Sequence, residues 1–376
     1  MRRYIERGLV HLLLLAGASL FLLPLIWMLS TALKPIEQTM SIPPTWIPYQ
    51  YFVTRGGESV PVRLGESIDV PSCVVRRKDT GARLLVPRSA LSNGALRQST
   101  PQGVETLVPI EVLKDIAASP DTVWVRVMPE NLPSSEWDVA EVGNIVRRVA
   151  PRWENFGRAI AAMKYFPAYL MNTLLLCVLT VVGAVFSSAL AAYGFSRINW
   201  PGRNKVFILA LATMMIPFPV LMVPMYCLFR WLGWIGTLRP LWVGSFFAGA
   251  FNVFLLRQFF MTLPKDLSEA ARIDGCGEFR IFWQITLPLC RPALMVVGLF
   301  QFMFTWNDFL GPLIYLTDQK DFTLALGLQF FQSQHGGTEW HYLMAAGLLV
   351  ALPIIVLFFF TQRSFVEGIS MTGVKG

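Results

Sequence analysis

The sequence predicts an all-α membrane protein of six helices, with a small β-rich domain inserted between helices 1 and 2. Three observations support this fold class. The 376 residues are 54% hydrophobic and only 15% charged, whereas soluble domains have about 25% charged residues. Six apolar stretches reach the length of about 20 residues that a helix needs to cross a bilayer. The charged residues are concentrated in residues 34–168, which hold 16 of the 32 Lys and Arg and 14 of the 24 Asp and Glu residues.

The six predicted spans are joined by short loops, except after the first. The first span follows Arg2, Arg3 and Arg7, and its apolar run is longer than the ~7–15 residues of a signal-peptide core, so we expect it to be retained. Three prolines between Ile216 and Pro224 predict a broken or kinked third span, as a packing irregularity or as a hinge or cavity wall. The predicted spans are Gly8–Leu33, Tyr169–Tyr193, Val206–Phe229, Leu238–Phe260, Pro292–Leu316 and Tyr342–Gln362.

The distribution of Lys and Arg predicts that both termini are cytoplasmic. With the N-terminus inside, thirteen Lys and Arg residues fall in inner segments and three, Arg230, Arg239 and Lys320, in the short outer loops. Membrane proteins have an excess of these residues in cytoplasmic loops. The net charge of +8 is therefore explained by membrane orientation, without nucleic acid as a partner.

The charged block is predicted to lie outside the membrane and to be rich in strands. Cys73–Val86 has the pattern of a hairpin with Asp79–Gly81 at its tip, and Val123–Val127 has that of a further strand. Residues 108–118 are predicted to hold a short helix. The block has no His and no paired Cys, which favours a docking or structural module over an enzyme. No metal or cofactor site is expected anywhere in this chain.

The inner loop between spans 4 and 5 is predicted to form two short helices. Asp266 and Glu269 after Pro264 give an N-terminal capping pattern for a helix over Leu267–Asp274, which ends at Gly275. A second amphipathic segment follows over Glu278–Leu287 and ends at Pro288. Its apolar side chains would be available to a partner; they are Phe279, Phe282, Trp283 and Ile285.

This loop resembles the signature of a known family. Glu269-Ala270-Ala271, then Gly275, then Ile285-x-Leu287-Pro288 agrees at every defined position with the EAA-x3-G-x9-I-x-L-P signature of permease subunits of binding-protein-dependent ABC importers. Thr305–Leu313, Thr323–Leu328 and Val366–Gly376 are similar to carbohydrate-importer permeases, and among them to the smaller, maltose-type subunit. The resemblance covers residues 1–48 and about 152–376, and it implies the six-helix fold of a type I importer permease.

The resemblance also implies site residues and partners. The loop would be a coupling helix docked in a cleft of a cytoplasmic ATPase subunit, through Glu269, Ala270, Ala271, Asp274, Gly275, Ile285, Leu287 and Pro288. The tail residues Thr372 and Gly373 would reach the ATPase dimer interface. The outer loop Thr317–His341 would enter the cleft of a solute-binding protein with Gln332, Gln334, His335, Gly336 and Gly337, unless it is an ordinary solvated loop.

Few polar residues lie in the predicted spans. Asn172 and Asn252 are expected to form hydrogen bonds between helices. Trp306, Asn307 and Asp308, near the outer end of span 5, could border a sugar path, since intramembrane polar groups tend to face a bundle interior or cavity.

The departure from the family is the block of about 100 residues after the Trp46-Ile47-Pro48 connector, where such permeases have only a few. We therefore divide the chain into residues 1–48, an inserted domain 49–151 and a permease core 152–376.

Three functions are compatible with a membrane chain of this kind. The first is the permease, working with a second permease, an ATPase dimer and a binding protein, in the inner membrane of a bacterium or archaeon. No G-x-x-x-x-G-K-[ST] motif is present, so ATP and Mg would be bound by the separate ATPase. The second is an anchored outer receptor or sensor, which would not require an intact coupling loop. The third, a membrane enzyme, needs a cluster of acid, base or metal-binding groups, and His11, His335 and His341 are too scattered to form one.

Overall fold

A computed structural model describes residues 2–55, 58–68, 70–92, 95–99, 105–116, 124–129, 137–331 and 338–370. The chain divides into two compact units. One comprises Met1–Ala32 and Glu154–Gly376, and the other comprises Leu33–Trp153. The chain begins with helix α1 (Arg2–Ala32), and the second unit begins with the short helix α2 (Ile36–Thr39).

The second unit is built from strands. Its described residues form two antiparallel five-stranded sheets, ordered β10-β1-β2-β8-β9 and β4-β3-β7-β6-β5. The strands are β1 (Tyr49–Arg55), β2 (Glu58–Ile68), β3 (Ser72–Arg77), β4 (Arg83–Pro87), β5 (Leu91–Ser92), β6 (Ala95–Ser99), β7 (Glu105–Ile116), β8 (Trp124–Pro129), β9 (Asp138–Glu141) and β10 (Ile145–Val149).

The two sheets repeat one arrangement and exchange strands. The chain runs twice through four strands, a 3₁₀ turn and a fifth strand, with the turns at Arg88–Ala90 and Val142–Asn144. One sheet combines β1 and β2 with β8–β10, and the other combines β6 and β7 with β3–β5. Val60-Pro61-Val62 in β2 and Val108-Pro109-Ile110 in β7 occupy equivalent strands. The unit is thus an intertwined tandem repeat, in which each copy completes the sheet of the other.

Two of the three local predictions for this unit are confirmed and one is wrong. β3 pairs with β4 around a tip where Gly81 has a positive φ of 68° and donates to the Arg77 carbonyl at 2.9 Å. The predicted strand at Val123–Val127 is β8, within the described residues. The helix predicted over residues 108–118 is wrong, because β7 lies between β3 and β6 and pairs with both.

The first unit is helical. Its remaining helices are α3 (Glu154–Ala162), α4 (Phe166–Ser196), α5 (Arg203–Ala212), α6 (Phe218–Trp231), α7 (Arg239–Trp242), α8 (Ala250–Thr262), α9 (Lys265–Ile273), α10 (Glu278–Ile281), α11 (Leu287–Leu289), α12 (Arg291–Trp306), α13 (Leu310–Tyr315), α14 (Leu324–Gly327) and α15 (Trp340–Ser370). A π-helical turn, Phe282–Thr286, joins α10 to α11.

Four helical segments in the described part of the chain are long and apolar enough to cross a membrane. They are Leu9–Ala32, Phe166–Ser196, Arg239–Thr262 and Trp340–Gln362. Two bent pairs pass the same test together, Arg203–Met215 with Phe218–Trp231 at 97° and Glu278–Leu289 with Arg291–Trp306 at 81°. The number of spans is therefore four, or up to six if each bent pair forms one.

The breaks in the predicted third and fifth spans have local causes. Ile216 leaves the helix with a ψ of 114° directly before Pro217, because a residue before proline disfavours the helical region. The broken third span is thus confirmed. The fifth span, predicted as continuous over Pro292–Leu316, is interrupted: α12 ends at Trp306, and the Asp308 carboxylate accepts the Gly311 N–H at 3.0 Å at the start of α13.

Helix α4 is central to the packing of the first unit. It packs against α8 and α12, whereas α1 packs against α15. One buried cluster surrounds the last turns of α4, with Tyr193, Phe260 and Phe282 among its members. Another lies near its beginning, around Tyr169 and Trp306. In contrast, the apolar part of α1 is exposed along its length, which leaves that face to lipid or to a partner.

Candidate functional site

Helix α9 is closed at its C-terminus by a Schellman motif. The Cys276 N–H donates to the Ala271 carbonyl at 2.9 Å, and the Gly275 N–H donates to the Arg272 carbonyl at 3.0 Å. Gly275 has a φ of 81°, in the left-handed region that side chains disfavour. The predicted stop at Gly275 is confirmed. After this turn α10 contacts α9, and Glu278 of α10 binds Arg272 of α9.

The predicted N-terminal cap of this helix is wrong. The helix begins at Lys265, two residues before the predicted start, and Pro264 at its N-cap makes no side-chain hydrogen bond. Asp266 lies in the first turn. There its carboxylate interacts favourably with the positive end of the helix dipole. The proline fixes an extended conformation before the helix, with a φ of −56°.

The segment 263–289 has one face against its own unit and one exposed face. Ala271, Ile281 and Phe282 are buried in the cluster around the last turns of α4. Three apolar side chains on the other side are largely exposed: Ile273 to 87%, Phe279 to 64% and Trp283 to 54%. The Phe279 and Trp283 rings are stacked, with their centroids 6.4 Å apart. Exposed, stacked aromatic rings such as these are typical of an interaction site.

The predicted coupling residues divide between these two faces. Exposed residues are Glu269, Ala270, Asp274, Gly275 and Pro288, and half-buried residues are Ile285 and Leu287. Ala271 is buried against its own chain, so only Ala270 of the alanine pair is open to a partner.

A carboxylate that the sequence analysis did not single out joins three helices. Glu278 accepts from Arg272 Nε at 2.7 Å and from the Tyr193 hydroxyl at 2.7 Å. The hydrogen bond to Glu278 raises the pKa of the Arg272 guanidinium. The left-handed turn at Gly275 lies between Arg272 and Glu278. The glycine of the signature could therefore have indicated from sequence that these two side chains lie close together. Tyr193 is 85 residues away and no local pattern points to it.

Two arginines attach the end of α8 to the end of α4. Arg197 donates to the carbonyls of Phe260 and Leu263 at 2.5 and 2.8 Å. Arg257 donates to the Phe195 carbonyl at 3.2 Å and lies 4.3 Å from the Phe207 ring centroid. Cations suit helix C-termini because several carbonyls there lack intrahelical partners. The helix that leads into the 263–289 segment is therefore fixed on α4.

The predicted path residues have mostly structural contacts. Trp306 is buried and donates from its indole to the Val350 carbonyl at 3.0 Å. Asp308 binds the Gly311 amide, as described above. Asn307 is exposed, and its amide donates to the Met303 carbonyl at 2.8 Å. Of the three, Asn307 alone presents an exposed side chain, and a role for the set in a substrate path stays a prediction.

The segment that precedes α15 is attached to the first turns of α4. The Asn172 amide donates to the carbonyls of Lys320 and Phe322 at 3.1 and 3.2 Å, and the Thr173 hydroxyl accepts the Leu324 N–H at 2.9 Å. The expectation that Asn172 bonds between spanning helices is wrong, because its partners are a carbonyl of the short 3₁₀ turn Gln319–Asp321 and the carbonyl of Phe322 directly after it.

Some predicted site residues lie outside the described part of the chain. They are the binding-protein loop residues Gln332, Gln334, His335, Gly336 and Gly337 and the tail residues Thr372 and Gly373. Among the described residues, no three His, Cys, Asp or Glu side chains are grouped as metal ligands.

Known proteins are similar to the helical unit. Residues 161–370 match the family of binding-protein-dependent transport system inner membrane components. The chain is 36% identical over 212 residues to the arabinooligosaccharides transport system permease protein AraQ of Bacillus subtilis, covering 55% of this chain and 73% of that protein. It is 33% identical over 225 residues to the trehalose/maltose transport system permease protein MalG of Thermococcus litoralis, covering 59% and 81%.

A solved structure agrees in fold. A chain of a bacterial ABC transporter involved in the import of the acidic polysaccharide alginate superposes with a TM-score of 0.52 at 23% identity, covering 57% of this chain and 80% of that chain. The family match spans more than half of the chain and begins after the β-rich unit. The resemblance drawn from the EAA signature is thus confirmed, and the chain belongs to the family of binding-protein-dependent transport system inner membrane components, the permease subunits of ABC importers.

Proposed function

We propose that this chain is one of two dissimilar permease subunits of an importer for a di- or oligosaccharide. It would cross the cytoplasmic membrane of a bacterium or archaeon six times, with the first bent pair and α12 of the second pair as two of the crossings and both termini inside. The second permease would complete the translocation path, and a solute-binding protein would deliver the sugar. The names of the relatives, which specify arabinooligosaccharides and trehalose or maltose, support a sugar as the substrate.

The two-faced 263–289 segment is the observation on which this proposal depends. Its buried side belongs to a cluster with α4, α8 and α12, and its exposed residues include Ile273, Phe279 and Trp283. An ATPase subunit that covers these exposed residues would remove their apolar surface from water. Glu269 and Ala270 lie on exposed positions of the same segment. The ATPase, which would hold ATP and Mg, could then move the buried face and with it the helices.

The remaining assignments depend on the family resemblance. The outer residues 332–337 would probe the binding protein, and Thr372 and Gly373 would lie near the ATPase interface. Asn307 has the exposed side chain of the predicted path set and would be the residue of the set that contacts substrate. Residues 49–151 would be a docking or structural module inserted into a permease core of residues 1–48 and 152–376.

Coupling is tested with the purified complex in liposomes. We expect Glu269→Lys or Gly275→Asp to uncouple ATP hydrolysis from uptake while the protein stays in the membrane. Glu154→Lys is the matched control, since Glu154 lies on α3 in an exposed pair with Arg158 at 3.3 Å. Normal uptake by the double variant Glu269→Lys/Gly275→Asp would show that the segment does not couple.

The substrate is tested in the same liposomes with labelled maltose, trehalose and arabinooligosaccharides, together with the solute-binding protein of the system. Uptake of one of these that requires ATP is the expected result. Uptake of none of them, with an active ATPase, would exclude the proposed sugars.

A further inference from the structure

The last turn of α4 contacts the 263–289 segment in two ways. The Tyr193 ring packs on Phe282, with the centroids 5.2 Å apart, and both residues are almost fully buried. The Tyr193 hydroxyl donates to Glu278 Oε2 at 2.7 Å. A phenylalanine would fill the apolar cluster as well as tyrosine does. The hydroxyl therefore has a separate purpose, which is its bond to the carboxylate.

Glu278 connects elements that would otherwise be independent. It begins α10, directly after the turn at Gly275, and Arg272 reaches it from the last turn of α9 with Nε at 2.7 Å and Nη2 at 3.4 Å. One carboxylate thus binds α9 and α4 at the same time. Any displacement of α9 relative to α10 must alter the hydrogen bonds that Glu278 makes.

Stability alone does not account for this arrangement. The Arg272 and Glu278 side chains are 40% and 43% exposed, and ion pairs with this exposure contribute little to stability. Their geometry is nevertheless specific, because the short bonds from the Arg272 Nε and the Tyr193 hydroxyl go to different oxygens of one carboxylate. Hydrogen bonds to a charged group are the stronger class and are sensitive to geometry.

We propose that Tyr193, Glu278 and Arg272 form a positioning network that transmits movement of the coupling segment to α4. The proposal rests on the proposed function, in which an ATPase presses on the exposed face of α9 and α10. When that face moves, the Arg272–Glu278 pair carries the displacement across the Gly275 turn, and the Tyr193 hydroxyl passes it to α4. The three side chains position the moving parts and do not touch solute or nucleotide.

The experiment compares Tyr193→Phe, Glu278→Gln and the double variant in the reconstituted complex. Three quantities are measured: ATPase subunit retained on purification, ATP hydrolysed, and sugar imported per ATP. We expect full retention and a fall of about tenfold or more in sugar per ATP, the change that corresponds to the loss of one hydrogen bond to a charged group. The double variant should be no worse than Glu278→Gln, because both changes break the same bond.

Two further variants separate transmission from folding. Tyr226→Phe removes a hydroxyl on α6 that has no hydrogen-bond partner among the described residues, and should change none of the three quantities. Arg272→Lys keeps the charge and should restore part of the coupling that Arg272→Gln loses.

Three other outcomes would contradict the proposed network. Unchanged sugar per ATP in Tyr193→Phe and Glu278→Gln would show that the bond transmits nothing. Loss of the ATPase subunit from these variants would show that the bond only shapes the docking surface. Additive effects in the double variant would show that the two residues act separately. If Glu269→Lys and Gly275→Asp also leave coupling intact, the coupling role of the whole segment fails, which is a different result.

Discussion

The side-chain amide of Asn172 donates to the backbone carbonyl of Phe322 at 3.2 Å, and so ties the first turns of α4 to a loop 150 residues further along the chain. Thr173 adds a hydrogen bond to Leu324, and Gly327 lies against the Tyr169 ring. The short segment that leads into and forms α14 is thus held on α4 at several successive positions.

Gly327→Ala should loosen this attachment. A Cβ at Gly327 would lie 2.7 Å from a Tyr169 ring carbon, which is buried and cannot move freely. We expect a loss of about 1–3 kcal/mol, the usual cost of overpacking, seen as a lower unfolding temperature in detergent. Gly194→Ala is the matched control, since a Cβ there meets nothing within 4 Å and alanine favours a helix. Equal stability of the two variants would contradict the close contact.

Gly275 should tolerate asparagine better than valine. A Cβ at this position meets nothing within 4 Å, so the φ of 81° alone imposes the cost. Asparagine visits the left-handed region, whereas a β-branched residue there is strained by about 1–2 kcal/mol. Coupled transport should therefore fall in the order Gly, Asn, Val, as measured by sugar imported per ATP. Gly277→Val is the control, because the φ of Gly277 is −69°; an equal loss there would show that side-chain bulk, not the left-handed turn, matters.

Alanine substitutions at Phe279 and Phe282 should change different properties. Phe282 is 1% exposed inside the cluster, so Phe282→Ala should cost about 3–5 kcal/mol in stability. Phe279 is exposed, so Phe279→Ala should leave thermal stability unchanged and weaken binding of the purified ATPase subunit. Binding is measured by titration against the permease in nanodiscs. Unchanged affinity for the Phe279 variant would place the docking surface elsewhere.

Residues 49–150 should be removable only as a whole. The Ala150 N–H donates to the Pro48 carbonyl at 3.2 Å, so the two connectors run side by side and a short linker can join them. We expect this variant to retain the ATPase subunit on purification. Deletion of residues 95–149 alone should instead expose the chain to protease, because it removes β8–β10 from one sheet and β6 and β7 from the other. A protease-resistant half would contradict the intertwined repeat.

Local patterns identified much of this fold, and long-range contacts explain what they missed. Hydropathy located α1, α4 and α15, and turn residues located the β3–β4 hairpin. The helix expected over residues 108–118 is a strand, because its partners β3 and β6 decide its structure. The internal repeat had a sequence signal in Val60-Pro61-Val62 and Val108-Pro109-Ile110, but the strand exchange between its copies has none.

The candidate site shows the same division. The EAA signature pointed to α9 and to the turn at Gly275, since both depend on residues close in sequence. It also pointed to Ala271 as a contact for a partner, although the helix phase turns that residue inward. Tyr193 could not be found from sequence, because its role depends on how α4 packs against a segment 85 residues away.

Helix α4 has Pro167 in its first turn and continues from there to Ser196 without another proline. Thr173 and Tyr193 are 20 residues apart on it, which corresponds to about 30 Å along the axis and about 200° around it. The segment around Leu324 and the 263–289 segment thus contact nearly opposite sides of one straight helix. If α4 tilts about its middle, its two ends move in opposite directions, so both contacts become shorter together or longer together. Under the proposed function, such a tilt would change the contacts at both membrane surfaces at the same time.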